Sequence, residues 1–509
     1  MHYVSLIVEC LRGRPAVAFW VATLGQGVLW FLVPALFYSA PPASLADLLS
    51  AGWQVRLGTE TMPPLALWLS QLAFRAAGVT GVYLLAQVCV VVALWAVFKL
   101  GSAIVGARHA ALAVLLMTGL TVLALPSIDF GPAVLALPLW ALSLLHYWRA
   151  VGEGRRGCWL LLAVWLGLML LTSVLGVLLV ALIAVATLLD PRGRAAFRHA
   201  EPWLAILLML FVIAPYAGWL AYHPELAQAI FVPVRPIADP GAAALRVLAL
   251  IGVAHLGVVV LIALVSGWPK RRRDEPPVIE GRAAERAGRL FIYGFALAPL
   301  LVAIAFAAAG GSVSPQRLAP LVLLSGLAVV VFAGAQVRLY RERMVSFVWL
   351  ALLVVPPLAV VLNLGLSPWF AVEPPGAEPA QAMGRFFAEN FQRRTGAPLR
   401  HVAGERRIAT LVALAAPGRP ALLRLDAPQR TPWTTPAQFR ATGGVVVWPT
   451  TDTAGTPPPA IKAAFPDLVA EVPRVFERPV EGRLPLLRIG WGVVRPAPPQ
   501  PQSPPQPAQ

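Results

Sequence analysis

The sequence predicts a mainly α fold: a polytopic membrane bundle of about eleven apolar helices, followed by a small α/β domain at the C-terminal end. Three observations carry that prediction. The 509 residues are 58% hydrophobic and only 13% charged, far from the balance of a water-soluble protein. Apolar runs of membrane-crossing length recur along the first two thirds of the chain. Past residue 366 the composition changes to shorter apolar stretches bounded by Gly and Pro.

The expected spans lie near 16–38, 79–99, 109–126, 131–148, 157–172, 174–189, 203–221, 244–267, 289–309, 318–336 and 345–366. The fifth and sixth are short, with only Thr172 and Ser173 between them, and read as a tight hairpin or as one bent element. The formal charge of +17 is no nucleic-acid signature, because the basic residues sit in short clusters between apolar segments. They occupy every second loop: Arg12 and Arg14, Lys99 and Arg108, Arg149 with Arg155 and Arg156, Arg192 with Arg194 and Arg198, Lys270 to Arg273, and Arg338 with Arg341 and Arg343. The alternate loops hold far fewer, namely Arg56, Arg75, Arg235 and Arg317. Positive residues stay on the cytoplasmic side. The N-terminus is therefore expected inside and the tail outside, which needs an odd number of spans. The three cysteines, Cys10, Cys89 and Cys158, lie in or beside apolar segments, so the tail has no disulfide to offer. No cleavable signal pattern precedes the first span.

The organisation expected is a membrane domain over 1–366 with interfacial helices in 42–76, a periplasmic α/β domain over 367–496, and a disordered Pro/Gln-rich end over 497–509. In the tail, AQAMGRFFAENFQRRTG reads as an amphipathic helix with Met383, Phe386, Phe387 and Phe391 on one side, while RIATLVAL, PALLRLD and GGVVVWP read as strands.

The outer loops hold the candidate chemistry. In PPASLADLLSAGW, Leu45, Leu48, Leu49, Gly52 and Trp53 recur at helical spacing, an amphipathic helix suited to the membrane interface, with Asp47 off the apolar stripe. Asp47 reads as a general base or metal ligand facing a cavity, or as the acid of a Ser44-x-x-Asp47 capping box. Glu60, in GTETMPP, is a cavity carboxylate braced by Pro63 and Pro64, or a solvated turn acid. LALWLSQLAF then places Leu65, Trp68, Leu69 and Leu72 on one face of a second interfacial helix. Asp129 lies in LPSIDFGP between spans three and four, where an acid at membrane depth marks function or answers the dipole of the next helix. Arg317 runs against the charge trend and suits a lipid-linked phosphate, or snorkels to headgroups. Arg56 and Arg246 take the same two readings. His255, inside span eight, reads as a satisfied bundle histidine. No Gly-rich phosphate loop, HExxH or CxxC occurs, so the chain shows no means of using a nucleotide in the cytoplasm. Acids and an arginine outside point to a donor delivered through the membrane.

In order and spacing, several stretches resemble glycosyltransferase family 39, the bacterial relatives of the dolichyl-phosphate-mannose protein mannosyltransferases, which have the GT-C membrane fold. These are GWQVRLGTETMPPLALWL, VYLLAQVCVVVALWAVFKLG, LPSIDFGPAVLALPLWAL, GLMLLTSVLGVLLVALI and LLDPRGR, with HVAGE, TPWTTP and GGVVVWP in the tail. The resemblance implies a glycosyltransferase of the bacterial plasma membrane. Its donor would be a polyprenyl-phosphate sugar, its acceptor a hydroxyl on lipid, glycan or protein, and its stereochemistry inverting. Asp47 would be the base, with Asp129 and Glu60 as further outer-loop acids. Arg317 and Arg56 would meet the donor phosphate, and a divalent metal on Asp47 and Asp129 would be the one cofactor. The sequence departs from many relatives at three places. Ser44 stands where they have an acid, Thr61-Met62 where they have a polar pair, and Ser173 close to where they have a lysine. Those losses support an alternative, a catalytically degenerate envelope scaffold. A lipid or sugar transporter is the other, and would need polar or broken helices at the bilayer midplane.

Overall fold

The computed structural model describes residues 3–51, 57, 62–124, 128–224, 239–266, 277–427, 431 and 434–496. The Pro/Gln-rich end, 497–509, lies outside them. The chain divides into two compact units: Met1–Leu36 with Val55–Val361, and Phe37–Gln54 with Leu362–Gln509.

The first unit is helical. Among the described residues six helices are long and apolar enough to cross a membrane, including Pro15–Phe37, Leu65–Val105, Pro132–Gly152 and Arg286–Ala308. Two more candidates are bent pairs, Pro240–Ala254 with Leu256–Val265 and Pro315–Val322 with Ser325–Ala333, broken by 49° and 41°. Ala107–Met117, Cys158–Leu170 and Leu175–Leu189 are shorter apolar helices. Each of the eleven expected segments falls on one of these elements. Pro132–Gly152 is the central one: 89% of its apolar window is buried, against 11% for Ala200–Ala221, whose Leu207 and Phe211 stand exposed as lipid-facing side chains do. The short fifth and sixth segments are two separate helices joined by the turn 171–174.

Leu65–Val105 merges the expected second interfacial helix with span two. They part at a kink where Ala77 leaves helical geometry and Gly78 takes φ +63°, a conformation that glycine adopts without strain. The apolar face of its first turns points outward. Leu72 is 66% exposed, whereas Ala66, Leu67, Ser70, Gln71 and Phe74 are buried. In lipid that is the expected arrangement: leucines face the acyl chains and small or polar side chains face protein.

Four of the six loops expected to be basic meet at one end of this unit. Arg12, ahead of the first long helix, donates to the Val278 carbonyl from Nε and Nη2 at 3.1 and 2.9 Å, and Arg108 Nε donates to the Arg12 carbonyl at 2.9 Å. Val278 opens β1 (Val278–Glu280), which pairs antiparallel with β2 (Gln336–Arg338). Loops before the first expected span and after the second, eighth and tenth thus share one side.

The second unit is a three-layer α/β domain. Five strands, β3 (His401–Gly404), β4 (Ala421–Arg424), β5 (Gly444–Pro449), β6 (Val469–Phe476) and β7 (Leu487–Val494), form one sheet in the order β4-β3-β5-β7-β6. The first three are parallel, and β7 and β6 run antiparallel. β5 is buried on both faces, as a central strand of apolar residues should be. Val445 and Val447 face one core, with Phe387 and Phe391 of the helix Ala380–Thr395. Val446 and Trp448 face the other, with Phe439 and Phe465. The expected amphipathic helix is therefore present, with Met383, Phe387 and Phe391 buried and Phe386 packed against the same core.

RIATLVAL is not a strand but the helix Arg406–Ala415. Its β-branched residues favour strand locally, yet Glu405 caps the N-terminus by accepting from the N–H groups of Arg407 and Ile408 at 3.0 and 2.9 Å. Residues Ile408 to Ala413 are all buried, so tertiary packing decides the conformation. The helix Ala43–Ala51 packs on it, which puts the expected interfacial helix of the first loop in the same unit as the tail. Leu45 and Leu49 have no exposed surface and Leu48 only 3%. Their stripe is covered by protein.

Candidate functional site

In the second unit the chain leaves the helix Pro15–Phe37 and enters Ala43–Ala51 through five residues, 38–42. That turn is fastened by the Gly376 carbonyl, which accepts from the N–H groups of Ser39 and Ala40 at 2.8 and 3.0 Å. Gly376 has φ +80°, and a Cβ there would lie 2.8 Å from the Tyr38 ring, so both backbone and space demand glycine. Ser44 stands inside the first helical turn and not at its cap, because the helix starts at Ala43 and Pro42 O accepts the first helical bond, from Ala46. The capping-box reading of Asp47 therefore does not describe this helix start.

Asp47 is half-buried and faces Arg406, the first residue of the tail helix. Arg406 Nε donates to Oδ1 at 3.3 Å and a second guanidinium nitrogen to Oδ2, a two-point grip. The Asp47 hydrogen bond raises the Arg406 pKa above its ordinary value against partial desolvation, and the charges of Asp47, Asp426 and Glu405 add to it. Asp426 is in turn hydrogen-bonded by Arg424 at the end of β4. This cluster sits at the carboxyl ends of β3 and β4. Arg407, next in sequence, is held differently. It donates to Glu378 from Nε and Nη2 at 2.6 and 3.0 Å and to the Pro41 carbonyl at 2.8 Å.

In the first unit, Pro63 and Pro64 are buried, and the N–H of Leu65 donates to the Leu171 carbonyl at 3.0 Å. The Pro-Pro step is thereby tied to the turn that contains Thr172 and Ser173. Asp129 is half-buried in the short turn before Pro132–Tyr147, whose N-terminus is set by extended Gly131 and by Pro132. The helix Pro315–Leu318, which carries Arg317, packs against both Thr121–Ala124 and Pro132–Tyr147, the elements on either side of Asp129. Arg317 itself is exposed and donates to the Ser312 carbonyl at 3.3 Å. Asp129 and the segment bearing Arg317 thus belong to one neighbourhood, while Asp47 belongs to the second unit. Glu60 and Arg56 lie outside the described residues, as does Thr61.

His255 stands at the break of one bent pair and Ser325 at the start of the second helix of the other. His255 Nδ1 donates to the Ile251 carbonyl at 2.8 Å, which leaves Nε2, 2.8 Å from Ser325 Oγ, to accept the hydroxyl. Both ring nitrogens are satisfied, and the histidine ties two broken helices together. Among the described residues no group of three or more His, Cys, Asp or Glu gathers to hold a metal.

The sequence reading missed Arg406. The only local signal was Glu-Arg-Arg at the head of an apolar segment, and its partner Asp47 lies 359 residues earlier.

Residues 61–219 match the family model described as dolichyl-phosphate-mannose-protein mannosyltransferase. Among solved structures, ArnT from Cupriavidus metallidurans bound to undecaprenyl phosphate resembles the chain with a TM-score of 0.60 at 16% identity. The same protein in its apo state gives 0.58 at 14%. Each likeness covers 95% of this chain and 99% of the other. No curated protein sequence matches. The expected resemblance and the mainly helical architecture with its small terminal sheet domain are borne out. The chain is a multi-pass membrane protein of the GT-C fold, and its residues 61–219 match the family model of the dolichyl-phosphate-mannose-protein mannosyltransferases.

Proposed function

We propose that this protein is an inverting membrane glycosyltransferase that moves a sugar from a polyprenyl phosphate to a hydroxyl acceptor on the periplasmic face of the bacterial plasma membrane. The observation that carries the reading is the family match over 61–219, joined to a fold shared along 95% of the chain with a protein that binds undecaprenyl phosphate. In the proposed reaction the acceptor oxygen bonds to the anomeric carbon as that carbon's bond to phosphate oxygen breaks. The electron pair leaves with the polyprenyl phosphate, and the acceptor proton passes to Asp47. Asp129 and Glu60 are the further carboxylates assigned to the reaction, and Arg317 and Arg56 the cations assigned to the departing phosphate. The basic loops gathered at one end of the first unit support an N-terminus in the cytoplasm and a periplasmic tail.

Mass spectrometry of envelope lipids, glycans and proteins from a deletion strain tests this. One hexose, pentose or aminosugar should be missing from a single fraction, restored by the wild-type chain and not by Asp47→Asn. Unchanged fractions would instead favour the scaffold that the bland residues Ser44, Thr61-Met62 and Ser173 support.

A further inference from the structure

Two adjacent arginines at the head of one helix are held in opposite ways. Arg407 is closed in, with 24% of its side chain and 16% of its Glu378 partner exposed, and it also binds the Pro41 carbonyl. It fastens the 38–42 turn to the tail. Arg406 is 46% exposed and Asp47 30%, and Arg406 holds Asp47 through both carboxylate oxygens. An exposed pair of this kind contributes little net stability and exchanges partners readily. A guanidinium fork fits the two free oxygens of a phosphodiester as well as it fits a carboxylate. The pair also lies close to the bilayer by connectivity. Asp47 is ten residues past Phe37, the end of an apolar helix of 23 residues. On the tail side the helix Glu342–Leu366 is followed by Trp369 and Phe370, exposed by 53% and 77%.

We propose that the tail domain holds Asp47 in a resting ion pair through Arg406, and that the phosphate of the lipid donor frees the carboxylate by taking the guanidinium over. Arg406 is then a positioning residue that couples arrival of the donor to exposure of the base. The inference rests on the glycosyltransferase reading above. It assigns to the tail a part in every turnover.

The test is binding of undecaprenyl phosphate to the purified full-length protein in detergent, by native mass spectrometry, with amide exchange of residues 43–51 measured alongside. Asp47→Asn leaves Arg406 unpaired and should tighten binding about 2- to 5-fold. Arg406→Ala should weaken it about 10-fold or more, and the double variant should match Arg406→Ala. Arg406→Lys, which keeps the charge and loses the fork, should fall between and guards against a misfolded alanine variant. In the wild type the lipid should raise amide exchange in 43–51, and it should not do so in Arg406→Ala. Inorganic phosphate and phosphatidylglycerol vesicles serve as separate arms. If either raises that exchange as the polyprenyl phosphate does, the trigger is not the donor and the proposal fails. Wild-type affinity in both Arg406 variants would overturn it and leave the glycosyltransferase reading standing. Absence of undecaprenyl phosphate binding by the wild type would overturn both.

Discussion

Gly404 and Val447 approach each other so closely that a Cβ on Gly404 would lie 1.8 Å from the Val447 carbonyl oxygen. Gly404 also has φ +127°, and the next residue, Glu405, donates its N–H to that same carbonyl at 2.8 Å. This contact aims the turn from β3 into the helix that begins with Arg406. Gly404→Ala should therefore cost the tail at least about 2 kcal/mol. Protease digestion of the full-length protein on a temperature ramp would show it as earlier cleavage within 367–496. Wild-type resistance would mean that the sheet accommodates a side chain here.

Arg407→Ala leaves the largely buried Glu378 carboxylate without its cation, and a broken pair of that kind costs about 3 kcal/mol. The thermal midpoint should drop well below that of Arg406→Ala, whose pair is exposed. Equal midpoints for the two variants would contradict the division of labour between the adjacent arginines.

Asp426 responds to pH in a defined direction. The hydrogen bond from Arg424 holds its carboxyl below the ordinary value, with the charges of Arg424 and Arg406 adding to the effect. A depressed carboxylate contributes stability that is present above the unfolded-state pKa, near 3.9, and is lost as pH falls through the lower folded value. The difference in thermal midpoint between wild type and Asp426→Asn should be full at about pH 6 and should shrink as pH falls below the unfolded-state value of about 3.9. With Asp426 52% exposed, the effect is small, about 1 kcal/mol or less. A difference unchanged at low pH would place the cause elsewhere.

His255→Ala and Ser325→Ala should each destabilise the helical unit, and the double variant should cost less than their sum by about 0.6 kcal/mol, a usual coupling for hydrogen bonds between membrane helices. Unfolding in detergent measures the cycle. Sugar transfer should persist in Ser325→Ala, whereas a transport function using the two helix breaks would lose flux.

The helical unit was legible because lipid-facing segments announce themselves by length and hydropathy, which is why all eleven expected segments meet a helix or bent pair. Finer features depended on tertiary contacts that no window of sequence contains. Leu65, Trp68, Leu69 and Leu72 formed a visible stripe, but the side the protein buries is the one with Ser70 and Gln71. RIATLVAL carried strand-like residues, and only its cap and its burial among sheet and neighbouring helices make it helical. Of the candidate site, Asp47, Asp129 and Arg317 could be singled out because charge is conspicuous beside apolar runs. Arg406 could not, since the tail is rich in arginine and nothing local separates the residue that reaches Asp47 from those that reach solvent.

The pairing of the first loop with the tail has a consequence for biogenesis. Asp47 leaves the ribosome 359 residues ahead of Arg406, an interval of roughly half a minute at bacterial elongation rates. Throughout it, Ala46 has been translated but the helix whose Ile408, Leu411 and Val412 share its core has not. A nascent chain of this protein therefore carries a half-made subdomain until its last transmembrane helix has been threaded, and a stop codon near residue 366 would leave the helix Ala43–Ala51 without the tail helix it packs on.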